Sequence, residues 1–419
     1  MAKSLVKPRR TRNKKTVRAP SNKWQVLCHR IQENKLIPII GNSVRRDSVF
    51  DVDYDGTYGV PDEPDGDVDP ADPSEAAPTI GESLAQIWAD EIGYPLSDGY
   101  QLSRVADFHR RMYHPDDYEM AKRKYLAFLK RALVWVAEDD DVVEDQVQGL
   151  KPESLRQTSI SEMDDAEVLA LENHLSGFMF SDIAAELGYP KFNESYRDPL
   201  QILANLNLPL YLTTSSHDFL ERALHDAGRT EVRTQVCHWF GEASALGGNG
   251  GPVSYGGLAP EHVPAERLEL DPERPIVYHL FGYEEYPSSL VLTEDDYLDF
   301  LVRVVQEGAD QTGTILPHAV TAALRQSSVL LLGYRLQDWE FKVLFRGILR
   351  KTSIGKKTRL VIQLDPNKQA HVQEPQNPLA AHEYLRKYFA PHYRVDWGTT
   401  EMFLDRLEQE WNSCRSDLL

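Results

Sequence analysis

Seven short apolar segments, separated by helix-patterned stretches and loops, constrain this chain more than any other feature. They are LIPII (36–40), LPLYLTTSS (208–216), TQVCHWF (234–240), PIVYHLFG (275–282), SSVLLLG (327–333), TRLVIQLD (358–365) and YRVDWG (393–398). Runs this short and this apolar suit strands buried on both faces. Stretches such as DFLERALHDAG (218–228), TEDDYLDFLVRVVQEG (293–308) and TTEMFLDRLEQEW (399–411) carry helical spacing. Strands that alternate with helices predict an α/β fold, a Rossmann-like parallel sheet. No internal repeat is visible.

The first strand is separated from the second by a long helical stretch, expected as a large insertion over about 81–205. Within it, GESLAQIWADEIG (81–93) places Leu84, Ile87, Trp88 and Ile92 at helical spacing, with Gly93 as a C-cap. The aromatic residues of these helices read as core. A first helix is expected over 21–34, with Trp24, Val26, Leu27 and Ile31 on one face. Residues 1–20 are strongly basic and read as a disordered, solvated tail, with contact to nucleic acid or an acidic partner as the alternative. Residues 51–79 are acidic and proline-rich, which predicts a loop; Asp53, Asp55 and Gly56 do not have EF-hand spacing, so no metal is expected. The segment 247–257 is glycine-rich loop. Residues 21–365 are expected to form the main domain, and 366–419 a small strand–helix extension that completes it.

The chain has 419 residues and a net charge of −19, so most of its surface should repel nucleic acid. No apolar run reaches the ~18 residues of a membrane span, and no secretory signal is evident. Cys28, Cys237 and Cys414 are far apart in sequence, which argues against a disulfide framework and for a cytoplasmic protein.

Ligands of open parallel sheets bind beyond the carboxyl ends of the strands. Those positions hold Gly41, Asn42 and Ser43; Thr213, Thr214, Ser215, Ser216, His217 and Asp218; Gly282; and Gly333, Tyr334 and Asp338. Glycines and hydroxyls there suit a nucleotide, although turns alone also select them. GxGxxG after the first strand and GxxxxGK[ST] are both missing, which disfavours kinases, P-loop ATPases and ordinary dehydrogenases.

Five ordered stretches resemble the bacterial sirtuin-like proteins of antiviral defence: LIPIIGNSV (36–44), LAQIWADEIGYPLSDGYQLSRVADF (84–108), LPLYLTTSSHDFLERAL (208–224), VYHLFGYEEYPSSLVLTEDDYLDFL (277–301) and LLLGYRLQDWEFKVLFRGIL (330–349). YRVDWGTTEMFLDRLEQEW (393–411) extends the resemblance toward the C-terminus. It implies NAD as substrate, with hydrolysis to nicotinamide and ADP-ribose. It also implies a homo-oligomer with a HerA-type hexameric ATPase as partner, and nucleic acid met only through that partner. The zinc ribbon of protein deacetylases is absent from the sequence. The NAD-binding residues implied are Gly41, Asn42, Ser43, Thr213, Thr214, Asp218, Gly282, Gly333 and Tyr334.

The family's usual asparagine and histidine stand here as Ser215 and Phe281. Cleavage needs a held dinucleotide, stabilisation of developing positive charge and a placed water. Strand alternation puts His279 on the face of Phe281, where it would act as base or as a hydrogen-bonded support. Asn42 would supply the missing amide, and His279, Asn42 and Ser215 are the catalytic candidates. A site that only binds NAD or ADP-ribose, as a scaffold for the ATPase, is the alternative. His217 is expected at a turn, capping or on the surface, Asp218 as a helix N-cap, and Thr293 as the N-cap of an acidic helix start. His109, His114 and His174 are expected on the surface.

Overall fold

The computed structural model describes residues 23–50, 80–138, 140–190, 197–237, 239, 269–310, 316–336, 338–349, 360–364, 383, 387 and 393–416. The basic tail, the acidic 51–79 segment, the 247–257 loop and most of 366–392 lie outside the described residues.

The seven strands are β1 (Leu36–Ile40), β2 (Leu210–Thr213), β3 (Arg233–Val236), β4 (Ile276–His279), β5 (Ser328–Leu332), β6 (Leu360–Leu364) and β7 (Tyr393–Trp397). All pairings are parallel, in the order β3-β4-β2-β1-β5-β6-β7. From β1 the chain adds β2, passes out to the edge at β3, returns to place β4 between β2 and β3, and then crosses to the other side of β1 for β5, β6 and β7, so the order reverses at β1. The expected Rossmann-like parallel sheet is therefore present. β3 departs from the expectation of two buried faces: Arg233, Thr234 and Gln235 are half-exposed, because β3 is an edge strand paired only with β4 among the described strands.

The described helices are α1 (Lys23–Gln32), α2 (Arg46–Val49), α3 (Ile80–Glu91), α4 (Leu102–Tyr113), α5 (Met120–Ala137), α6 (Glu144–Leu150), α7 (Asp165–Leu175), α8 (Phe180–Glu186), α9 (Pro199–Asn205), α10 (Phe219–Asp226), α11 (Glu294–Asp310), α12 (His318–Gln326), α13 (Trp339–Val343) and a C-terminal helix, Thr400–Ser416. Alternation along the strands sorts the core into two layers. Ile37, Ile39, Leu212, Tyr278, Val329 and Leu331 face one way, toward Phe300 of α11, Val320 of α12 and Phe341 of α13. Leu36, Ile40, Tyr211, Val277 and Leu330 face the other, toward Leu27 of α1, Leu203 of α9, Leu224 of α10 and Leu404 of the C-terminal helix.

The insertion between β1 and β2 has a core of its own. Trp88, Phe128, Leu133, Leu171 and Phe180 are its centre, each at most 2% exposed. Gly93 ends α3 in the left-handed region (φ 67°), as the sequence predicts. α9 packs against the sheet layer rather than this core.

A buried ion pair fastens the insertion to the sheet layer. Lys122 of α5 is 1% exposed and Asp296 of α11 is 0% exposed. The Lys122 ammonium lies 3.2 Å from the Asp296 carboxylate and donates to the Leu290 carbonyl at 2.5 Å. Asp296 also accepts from the N–H groups of Leu292 (2.9 Å) and Thr293 (3.0 Å), while the Thr293 hydroxyl accepts from the Asp296 N–H at 3.1 Å. That reciprocal arrangement is a capping box, built on the N-cap expected at Thr293.

The cysteines are corrected in part. All three are free thiols, but Cys28 and Cys414 are neighbours, because α1 packs on the C-terminal helix. Burial, followed by the hydrogen bond to Cys414, pushes the Cys28 thiol up to about 12.

Candidate functional site

Register brings the strand ends together. Ile40 pairs with Thr213 on one side and with Leu332 on the other, and Thr213 pairs with His279. The residues that follow these therefore emerge along one edge, where the strand order reverses.

At this edge the β1 and β5 turns touch. The Gly41 N–H donates to the Leu332 carbonyl at 2.9 Å. A Cβ on Gly41 would lie 2.4 Å from the Gly333 carbonyl oxygen, so only glycine permits the approach. The Ser43 hydroxyl donates to that same oxygen at 2.7 Å. Thr213 and Thr214 close the other side. The Thr213 hydroxyl donates to the Ile40 carbonyl (3.1 Å) and accepts from the Ser215 N–H (3.0 Å). The Thr214 hydroxyl shares a 3.1 Å hydrogen bond with the Tyr334 hydroxyl.

Glu340, one residue into α13, joins these elements. Its carboxylate accepts from the Asn42 side-chain amide at 2.8 Å and from the Thr214 hydroxyl at 3.4 Å. The Asn42 NH₂ group thus faces Glu340. Its amide oxygen is buried and finds no hydrogen-bond partner among the described residues. Burial, opposed in part by Thr214 and reinforced by the Glu340 charge, raises the Tyr334 phenol well above its ordinary value.

Glu340 also lines a cavity of about 370 Å³ between the insertion and the β5 turn. Tyr100, Gln101 and Ser103 come from the insertion side, and Arg335, Asp338, Trp339 and Lys342 from the β5 side. Trp339 stacks on buried Tyr297 at 6.2 Å and 18°. This size falls in the range of small-molecule sites, about 300–1,000 Å³. Glu340 and Lys342 were missed in the sequence, and Trp339 reads there as a packing or oligomer-contact residue. The stretch LQDWEF reads as an ordinary helix start, and only tertiary structure brings residues 42, 214 and 340 together.

His279 is fully buried, and both ring nitrogens are engaged. Nδ1 lies 2.8 Å from the Ser215 carbonyl oxygen and Nε2 lies 2.8 Å from the Glu221 carboxylate. Both partners are acceptors, so the ring is satisfied as an imidazolium. Burial works against that charge, but Glu221 and the Ser215 carbonyl outweigh it and hold the pKa above the ordinary histidine value. Glu221 also accepts from the Thr234 hydroxyl at 2.9 Å. In this arrangement His279 has neither a free lone pair nor a free N–H.

The expected shared face of His279 and Phe281 is not kept. Strand β4 ends at His279, and the chain turns through Leu280 and Phe281. Phe281 packs edge-on against Tyr297 (5.6 Å) and Phe300 (5.1 Å), in the layer of Tyr278, while His279 meets α10. Gly282 follows with φ 94°, and a Cβ there would lie 2.4 Å from the Ser289 carbonyl, so its glycine character serves the packing of this turn.

Other expectations change as well. Asp218 precedes α10 but makes no side-chain cap; its carboxylate accepts from Arg222 (3.0 Å) and from the Ser181 hydroxyl. His217 is 2% exposed rather than at the surface. It lies 3.2 Å from Glu284 and stacks on Phe180 at 4.4 Å, which ties the sheet edge to α8. Burial tends to raise the Glu284 carboxyl, but His217, Lys130 and the Phe180 N–H together hold it below its ordinary value. His109 is also buried; desolvation, aided by His114, pushes it down to about 4. Among the described residues no group of histidine, cysteine, aspartate and glutamate could hold a metal ion, and no helix is long and apolar enough to cross a membrane.

Residues 209–389 match the family model of the SIR2-like domain. The match starts at β2, so β1, Asn42 and the insertion lie outside it, although β1 sits at the centre of the same sheet. No curated protein matches the chain. The match covers less than half of the chain and supports a sirtuin-like protein.

Proposed function

We propose that this chain binds NAD at the β1–β2–β5 edge and hydrolyses it to nicotinamide and ADP-ribose. The observation that carries the reading is the Asn42–Glu340–Thr214 cluster beside the 370 Å³ cavity, with a buried amide oxygen still lacking a partner. A nucleotide ribose hydroxyl is the kind of donor such an oxygen would accept. Gly41, Ser43, Thr213 and Gly333 shape the edge, Asn42 orients the ribose, and Ser215 and His279 hold the loop after β2. In this proposal His279 supports the site through Ser215 and does not act as the base. The resemblance set out above supports the wider role: an effector of bacterial antiviral defence, assembled as a homo-oligomer with a HerA-type ATPase.

A second reading has its own observation. With His279 committed at both nitrogens and Phe281 in the core, the site would bind NAD or ADP-ribose without cleaving it, as a scaffold for the ATPase. Both readings require binding. NAD and ADP-ribose at about 100 times Kd should stabilise the protein by about 2.7 kcal/mol in thermal melts. Asn42→Ala should abolish most of that gain. An unchanged Tm with both ligands would contradict both readings, and nicotinamide release separates them.

A further inference from the structure

We propose that Glu340 is the carboxylate that stabilises the positive charge developing on the ribose, with Asn42 and Thr214 as its positioning residues. This inference rests on the NAD reading and adds a catalytic group to it.

The geometry is that of a held anion at the mouth of a cavity. The two oxygens of Glu340 accept from different elements, Asn42 after β1 at 2.8 Å and Thr214 after β2 at 3.4 Å. The carboxylate is thereby fixed against rotation while it lines the cavity. The same charge contributes, after burial, to raising the phenols of Tyr297, which lines the cavity, and of Tyr334. Trp339, stacked on Tyr297, adds an aromatic surface to the cavity. Arg335 of the lining is paired with Glu82 and Asp338, and the Lys342 ammonium lies 5.7 Å from the Trp339 ring centroid, a position that a cationic ring would take over, while the Glu340 carboxylate suits an oxocarbenium-like ribose.

The chemistry balances with water alone. The bond between ribose C1′ and the pyridinium nitrogen breaks. Its electron pair leaves with nicotinamide, which becomes neutral, and the positive charge passes to the ribose opposite Glu340. Water adds to C1′, and its proton passes to the carboxylate and then to solvent. NAD⁺ and water give nicotinamide, ADP-ribose and a proton. Carboxylates serve oxocarbenium-like states in this way in glycoside hydrolysis.

Steady-state nicotinamide release by the full-length chain tests the assignment. Glu340→Gln should lower kcat by about 100-fold or more, with KM within about threefold of wild type. Glu340→Ala should lose activity similarly and recover part of it in added formate, a rescue that a purely structural role would not show. Full release by Glu340→Gln, or no formate rescue of Glu340→Ala, would overturn this inference and leave the NAD reading standing. A rise in KM with kcat unchanged would overturn it too, by making Glu340 a binding group. No release by wild type would overturn the hydrolase reading and this inference together.

Discussion

Asp296→Ala is expected to destabilise the protein by about 3–5 kcal/mol in urea denaturation, because it strands a buried lysine. Lys122 is 1% exposed, and burial already depresses its pKa against the pull of Asp296. Removing the carboxylate takes away the main opposing charge and also two acceptor contacts at the start of α11. Lys122→Met should cost much less, about 1–2 kcal/mol, because Asp296 keeps both backbone donors and the methionine fills the volume. The order of the two variants is the informative result. Equal losses would mean that the capping box contributes nothing beyond the ion pair.

The second large effect lies under the strand edge. Glu221→Ala should cost about 3–5 kcal/mol near pH 6, since it removes the charge that offsets burial at His279 and leaves Nε2 without its acceptor. The pH dependence follows from the direction of the shift. The folded pKa of His279 is raised above its unfolded value of about 6.5. Its contribution is therefore fully present below about pH 6.5 and is lost as pH rises through the folded pKa. The wild type should lose stability on the alkaline side of 6.5, and its advantage over Glu221→Ala should narrow there. His109 and Glu284 do not confuse the measurement. Both have lowered pKa values, so their contributions are lost as pH falls, His109 between about 6.5 and about 4 and Glu284 at still lower pH. A constant gap between wild type and variant from pH 6 to 9 would contradict the imidazolium assignment.

The parallel sheet was legible because its signal is local. Each apolar run carries its own period, and every one of the seven expected strands is present. The N-cap at Thr293 was legible for the same reason, since its hydroxyl accepts from an N–H three residues on. The edge strand β3 was misjudged because neighbour order is not written in a single strand. His217 and His109 were misplaced on the surface because their burial depends on α8 and α3, which the sequence around each histidine does not reveal. The pairing of His279 with Phe281 failed for a subtler reason. Alternation holds only while the strand continues, and β4 ends at His279. Cys28 and Cys414 are distant in sequence yet adjacent in the fold, and Glu340 reaches Asn42 across 298 positions. Contacts of that range follow from sheet topology, which the strands suggest only once their order is known.

The central claim is that NAD is cleaved at the edge where β1, β2 and β5 meet. Its most direct test is to incubate the full chain with NAD, alone and with a HerA-type ATPase, and to quantify nicotinamide and ADP-ribose. The expected result is equimolar appearance of both products in at least one of these states, with Asn42→Ala slower by about 100-fold. Stabilisation of the protein by NAD with no nicotinamide in either state would contradict the claim and leave a binding scaffold.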